Sequence, residues 1–256
     1  MKPGVIRAGG KSRLVDRLLP YVPKKSDHDC YCEPFAGGLA LLLAKERSPV
    51  EVLNDLDGDL VTFYRCVRFH AEPLCTELEF VLNSRQEFMD FKRQPGLTDI
   101  QKAARWFFRN KVSFGGGMDS FGVACSSGGG AASSRESRME DVRRLSVRLD
   151  RTIIENVTWE KCLELYDRPR TFFFCDPPYT ECGKTAYAAW QESDVMKFRE
   201  RLSRVKGRWM VTLNDCESNR RIFAGCDIET VERALGIAGK AGAGRVYREI
   251  IIRPRL

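Results

Sequence analysis

Histidine is nearly absent: the 256 residues contain only His28 and His70. Ten cysteines occur, at 30, 32, 66, 75, 125, 162, 175, 182, 216 and 226, yet no pair has C-x-x-C spacing and neither histidine joins a cysteine cluster. A structural zinc site needs four closely set nitrogen or sulfur ligands. No metal is therefore expected, and the thiols read as reduced and mostly buried. Long apolar runs are also missing, which excludes a helical membrane span. The opening Met1-Lys2-Pro3-Gly4-Val5-Ile6-Arg7 lacks the apolar core of a secretory signal. The expectation is a cytoplasmic protein with no membrane partner. The G-x-G-x-x-G dinucleotide fingerprint is absent too, which disfavours nicotinamide and flavin cofactors.

What is present suits one large domain, or one domain with a sizeable insert: 43% hydrophobic and 30% charged residues. The net charge is +7, and its distribution is uneven. Residues 101–151 hold ten basic side chains, Lys102, Arg105, Arg109, Lys111, Arg135, Arg138, Arg143, Arg144, Arg148 and Arg151, against five acids. Nucleic acid is the polyanion such a stretch most often meets, although an ordinary solvated helix face carries the same pattern.

The N-terminal part alternates strand and helix signals. Asp29–Glu33 reads as a strand running into Pro34-Phe35-Ala36-Gly37-Gly38, and the apolar run Leu39–Ala44 reads as a helix. Val50–Leu53 reads as a strand ending at Asn54-Asp55, with a helix around Leu60 to Phe69. This is the βαβ pattern of a parallel sheet. Residues 71–112 look helical and amphipathic, and 114–134 are rich in glycine and serine. Beyond them, Ser137-x-x-Glu140 has capping-box spacing, and Met139, Val142, Leu145 and Leu149 share a helical face from which the arginines lie largely apart. The α/β pattern resumes with strands at Thr152–Val157, Thr171–Cys175 and Arg208–Leu213. Ile228–Val231 and Val246–Ile252 read as an antiparallel hairpin across a connection containing Gly236, Gly239, Gly242 and Gly244.

Two places carry chemistry. At the first strand-to-helix turn, glycine allows close backbone approach to a ligand and leaves helix amides open. Asp55 follows Gly37 by 18 residues at the end of the next strand, the place from which a carboxylate meets a ribose. A plain tight turn, with Asp55 capping the next helix, is the simpler reading of the same residues. The second place is Asp176-Pro177-Pro178-Tyr179, directly after an apolar strand of the kind buried on both faces of a parallel sheet. Open α/β sheets bind ligands at such carboxyl ends. The prolines fix φ and remove backbone donors. A carboxylate and a carbonyl there can both accept from one exocyclic amino group, while a tyrosine stacks on the base that bears it.

These motifs, with Ala8-Gly9-Gly10-Lys11 before them and Tyr247–Ile252 after them, resemble the Dam-like, D12-class N6-adenine-specific DNA methyltransferases. The resemblance implies an open Rossmann-like S-adenosylmethionine-dependent methyltransferase sheet with an antiparallel terminal hairpin and a mainly helical insert. Residues 1–65 and 151–256 would form the catalytic domain, and 66–150 the target-recognition, DNA-binding insert. Lys11 would hold the methionine end of the cofactor, Phe35 and Gly37 would line its pocket, and Asp55 would bind its ribose. Asp176 would touch both the cofactor side and the target amino group, the Pro177 carbonyl would accept from that amino group, and Tyr179 would stack on the flipped adenine. Arg109, Lys111, Arg135, Arg138, Arg143 and Arg144 would hold phosphates of double-stranded DNA. A chain of this class can act as a monomer, and restriction–modification is one setting for it.

Three positions depart from the family pattern. Arg7 stands where a tryptophan is usual, and it is counted with the cofactor residues. Leu39 replaces a third glycine. Thr158-Trp159 replaces an Asp-Phe pair, with Trp159 still able to stack on the cofactor. The implied reaction is direct in-line methyl transfer after base flipping, and no Pro-Cys nucleophile of the cytosine-C5 type is present. N4 of cytosine poses the same geometric problem and stays open as the target, as does a catalytically silent nucleic-acid-binding module.

Overall fold

The computed structural model describes residues 1, 4–7, 10–122, 134–179, 190–234 and 246–255. Ala8 and Gly9, residues 123–133 of the Gly/Ser-rich stretch, Cys125, Cys182 and the glycines at 236, 239, 242 and 244 lie outside the described residues. In chain order the helices are α1 (Val15–Leu18), α2 (Ala40–Ala44), α3 (Gly58–Phe69), α4 (Ala71–Glu79), α5 (Arg85–Arg93), α6 (Asp99–Val112), α7 (Arg135–Leu149), α8 (Trp159–Tyr166), α9 (Glu192–Leu202) and α10 (Glu217–Ile222). The strands are β1 (Cys30–Glu33), β2 (Val50–Asn54), β3 (Thr152–Glu155), β4 (Thr171–Cys175), β5 (Arg208–Asn214), β6 (Asp227–Ala234) and β7 (Val246–Arg253). The chain divides into two compact units, Met1–Ser12 with Gly37–Ala44 and Asn54–Val157, and Arg13–Ala36 with Lys45–Leu53 and Thr158–Leu256.

In the second unit the strand order is β2-β1-β4-β5-β7-β6. Neighbours from β2 to β5 run parallel, with Cys32 opposite both Val52 and Phe173, and Cys175 opposite Val211. Strand β7 turns antiparallel to β5 and β6, with Asn214 opposite Glu249 and Ile228 opposite Ile252. The expected α/β sheet with an antiparallel terminal hairpin is therefore present. Every residue of β4 is buried, which explains the unbroken Thr-Phe-Phe-Phe-Cys run between two parallel neighbours. β1 has β2 on one side and β4 on the other, so the order reverses there and the carboxyl ends of β1 and β4 flank a topological switch point. Below β1, Lys45 and Glu51 form a buried ion pair at 2.5 Å, and Lys45 also donates to Ser48 Oγ at 2.8 Å.

The first unit is mainly helical. Helices α3 and α6 pack through aromatic side chains, the Phe63 ring lying 4.6 Å from that of Phe107 and 5.3 Å from that of Trp106. Val81, Phe88, Phe108 and Val112 form a second apolar cluster. Lys111 and Asp141 bridge α6 and α7 at 2.6 Å. Helix α7 starts earlier than its capping-box spacing suggests. Ser134 is the cap, its side chain accepting from the Ser137 amide, and Ser137 lies inside the helix. The amphipathic stretch 71–112 is three helices, with α5 capped by Ser84 and α6 by a Thr98–Gln101 capping box. Among the described residues, the eight cysteines are free, no group of three or more His, Cys, Asp or Glu is placed to hold a metal, and no helix is long and apolar enough to cross a membrane.

Candidate active site

In the first unit Gly37 closes on Asp55. Gly37 has a left-handed φ of 47°, a conformation glycine adopts at little cost. Its amide donates to Asp55 Oδ2 at 2.9 Å, and the Asp57 amide donates to Asp55 Oδ1 at 3.0 Å. Asp55 therefore holds the turn and does not cap α3. Asp57 is the cap, accepting from the amides of Asp59 and Leu60. Asp55 is only 7% exposed. Burial raises its carboxyl above the ordinary range, against the opposing pull of the two amides and of Arg7. Tyr64 donates to the Gly37 carbonyl at 2.5 Å, fixing the other side of the turn.

Arg7 is half-buried, pairs with Asp57 at 2.5 Å, and lies 5.4 Å over the Trp106 ring. The aromatic ring missing from position 7 is thus found beneath its guanidinium. Lys11 is buried at the start of a short helical turn. The backbone before it is tethered by Asn110, whose Oδ1 accepts from the Ile6 amide at 2.8 Å and whose Nδ2 donates to the Ile6 carbonyl at 2.7 Å. Leu39, in the glycine position, has φ 59° and is buried.

In the second unit the four residues after β4 are held from below. Thr212 of β5 donates through Oγ1 to Asp176 Oδ1 at 2.7 Å. The Tyr179 hydroxyl donates to Glu249 Oε2 of β7 at 2.8 Å. Pro177 and Tyr179 are buried, and Asp176 and Pro178 are half-buried. Beside β1, Phe35, Trp159, Trp190 and Phe198 form an aromatic cluster, Phe35 and Trp159 being stacked with centroids 6.5 Å apart. Trp190 meets Phe35 edge-on at 5.6 Å, and Thr158 caps α8 by accepting from the Lys161 amide. Glu33, at the end of β1, accepts from the Tyr31 hydroxyl at 2.6 Å.

Sequence reasoning passes over Thr212, Glu249, Trp190 and Asn110. Two of them leave a trace: Thr212 follows the apolar run Trp209-Met210-Val211 in β5, and Glu249 precedes Ile250-Ile251-Ile252 in β7.

The six basic residues expected to meet DNA divide by burial. Arg135, Arg143 and Arg144 are exposed, with acidic neighbours at Glu136, Glu72 and Glu140 respectively. Arg109 is half-buried over the Phe88 ring and donates to the Met118 carbonyl at 2.9 Å, and Lys111 is engaged with Asp141. Arg138 is turned inward. It is 1% exposed, donates to Asn83 Oδ1 at 2.8 Å and lies 5.4 Å over the Phe108 ring. It shares the buried face of α7 with Val142, Leu145 and Leu149.

Comparison with known proteins identifies the family. The profile of the D12 class N6 adenine-specific DNA methyltransferases matches residues 8–234. The chain is 24% identical to the type II methyltransferase M.CviBI of Paramecium bursaria Chlorella virus NC1A, over 98% of this chain and 96% of that protein. It is also 24% identical to the type II methyltransferase M.MjaIII of Methanocaldococcus jannaschii, over 98% and 99% respectively. A shorter match, 27% identical over 43% of this chain and 15% of its partner, is to the DNA N-6-adenine-methyltransferase of Escherichia phage P1. With most of its length matched, the chain belongs to the D12 class N6 adenine-specific DNA methyltransferase family and is a site-specific DNA methyltransferase.

Proposed function

We propose that the protein methylates N6 of adenine in double-stranded DNA with S-adenosylmethionine as donor. The observation that carries this reading is Asp176, fixed by Thr212 at the carboxyl end of β4 and followed by two prolines and a buried tyrosine. The exocyclic nitrogen of adenine is a poor nucleophile because its lone pair is delocalised into the ring. Hydrogen bonds from its two N–H groups to the Asp176 carboxylate and the Pro177 carbonyl draw the nitrogen toward sp³ geometry and localise the pair. The target base lies inside a duplex and must be extruded first, and the Tyr179 ring supplies a stacking surface for it.

Two features of the chain fit the donor. Each carboxylate oxygen of Asp55 accepts a backbone amide, from Gly37 or from Asp57, and a carboxylate oxygen has further acceptor capacity for ribose hydroxyls. The half-buried Phe35 and Trp159 rings offer an aromatic wall for an adenine. S-adenosylmethionine, when bound, supplies an electrophilic methyl group on a sulfonium. Lys11, Phe35, Gly37, Asp55, Trp159 and Asp176 take the binding roles the family resemblance implies, and Arg7 acts by holding Asp57 and lowering the charge around Asp55. Rate then comes from positioning and from oriented polar groups. Exposed Arg135, Arg143 and Arg144 hold DNA phosphates. The cytoplasm, where such DNA is met, is the setting this reading requires.

The test is transfer of labelled methyl from S-adenosylmethionine to unmethylated duplex DNA, followed by nucleoside analysis, with Asp176→Ala as control. Label in N6-methyladenine that disappears in the variant is the expected result. Label in N4-methylcytosine overturns the target, and DNA binding without label overturns the reaction.

A further inference from the structure

Glu249 is completely buried. It lies in β7 immediately before Ile250, Ile251 and Ile252, which are all equally buried, and opposite Asn214 of β5 and Val231 of β6. A carboxylate in such a strand is costly to desolvate unless it is hydrogen-bonded, and an aliphatic side chain fills the same space without that cost. Its Oε2 accepts a hydrogen bond from the phenol of Tyr179, 2.8 Å away. The hydroxyl of a phenol is coplanar with its ring, because the oxygen lone pair is conjugated with the π system. An acceptor at the hydroxyl therefore fixes both the tip of the side chain and the plane of the ring.

The second anchor of the same tetrapeptide comes from the adjacent strand. Thr212, two residues before Asn214 on β5, holds Asp176. Asp176 and Tyr179 thus each hydrogen-bond a buried side chain, from the neighbouring antiparallel strands β5 and β7.

Resting on the adenine-methylating reading above, we propose that Glu249 is a positioning residue: it sets the plane of the Tyr179 ring on which the extruded base stacks. The hydrogen bond acts as a unit, so removing either partner has one and the same effect. Tyr179→Phe keeps the ring and loses the hydroxyl. Glu249→Met keeps the hydroxyl and loses the acceptor. Glu249→Gln keeps an acceptor oxygen.

The experiment measures single-turnover methylation, KM for DNA, S-adenosylmethionine affinity and Tm for these three variants and for the Tyr179→Phe, Glu249→Met double variant. Tyr179→Phe and Glu249→Met are expected to slow methyl transfer about tenfold each, the size set by losing one hydrogen bond to a charged group. The double variant should be no slower than either single variant, as coupled partners require. Glu249→Gln should stay within about threefold of the natural rate because its amide oxygen still accepts. Affinity for S-adenosylmethionine should be unchanged in all four. Losses that multiply in the double variant, or a Tyr179→Phe rate equal to the natural one, overturn the proposal. Should Glu249→Met fail to fold, Tyr179→Phe and Glu249→Gln decide: a slow Gln variant beside a natural-rate Phe variant assigns Glu249 to structure alone. If the natural protein forms no N6-methyladenine, the parent reading fails and this inference falls with it. Methylation by the natural protein with an unaffected Tyr179→Phe variant removes the inference alone.

Discussion

Asp55 stands 18 residues beyond Gly37 in the chain and accepts the Gly37 amide hydrogen at 2.9 Å. On the reading proposed above the same carboxylate also faces the donor's ribose, and its net contribution to stability and its acceptance from that ligand depend on pH in opposite senses. Burial raises the Asp55 carboxyl above its ordinary value. Between the ordinary and the raised value the folded chain keeps a proton that the unfolded chain has released, so this group's contribution to stability falls as pH rises through that window. The ionised form is the stronger acceptor for ribose hydroxyls, so on that reading donor affinity rises over the same window. Urea unfolding and equilibrium dialysis at stepped pH should show the two opposite slopes, and Asp55→Asn should flatten both. Parallel slopes, or slopes that survive in the Asn variant, contradict this account.

Thr212→Val removes the hydroxyl that donates to Asp176 and keeps the side chain's shape. A hydrogen bond to a charged group contributes about 1.5–3 kcal/mol. Methyl transfer should therefore slow by roughly one to two orders of magnitude, with little change in Tm or DNA affinity, and Thr212→Ser should retain most of the rate. Equal losses in the Val and Ser variants would show that packing, not the hydroxyl, matters at this position.

The arginines of α7 should separate into two classes. Arg138→Met leaves Asn83 without its guanidinium partner and should cost about 1–3 kcal/mol of stability, while leaving the salt dependence of DNA binding unchanged. Alanine at Arg135, Arg143 or Arg144 should do the reverse, lowering the slope of log affinity against log salt by about one per phosphate contact at nearly constant Tm. Denaturation curves and salt titrations on the four variants check both halves.

Leu39 yields an inverted substitution order. Its left-handed φ of 59° costs an L-residue about 1–2 kcal/mol, yet its side chain is buried. Leu39→Ala loses the side chain and keeps the strain. Leu39→Gly loses the side chain and releases the strain. Both should be less stable than the natural chain, with the glycine variant the more stable of the two by about 1 kcal/mol. The usual order, alanine above glycine, would show that no strain is held at this position.

Much of this was legible in the chain, for local reasons. The apolar β4 run and the rigid Asp176-Pro177-Pro178-Tyr179 turn carry their signal in consecutive residues, and the interval from Gly37 to Asp55 is fixed by one βαβ crossover. Thr212 and Glu249 could be noticed as polar residues in strands. That they hold Asp176 and Tyr179 depends on the order in which β5 and β7 pair, which no short window contains. Ser134 and Ser137 both suit the capping of α7, and only the packed helix selects Ser134. Arg138 reads as one more surface charge until its four-residue spacing from Val142 is set on the buried face. Its partner Asn83, at 2.8 Å, is 55 residues away in sequence.

Asn110 ties the backbone of Ile6 through both its amide and its carbonyl, and a side chain on Gly116 would come within 2.3 Å of the Ile6 carbonyl oxygen. Asn110 in α6 and Gly116 just beyond that helix lie within residues 66–150, the stretch the family resemblance assigns to target recognition and, on that reading, the one to exchange to redirect the protein to another DNA sequence. Here that stretch is also the seat of the N-terminal segment. A grafted replacement for residues 66–150 therefore has to bring an asparagine and a glycine at the equivalents of Asn110 and Gly116, or arrive together with its own first ten residues. Without either, the exchange detaches the Ile6 backbone from its support, and on the reading proposed above, in which Arg7 and Lys11 serve the donor site, a change intended for specificity removes activity instead.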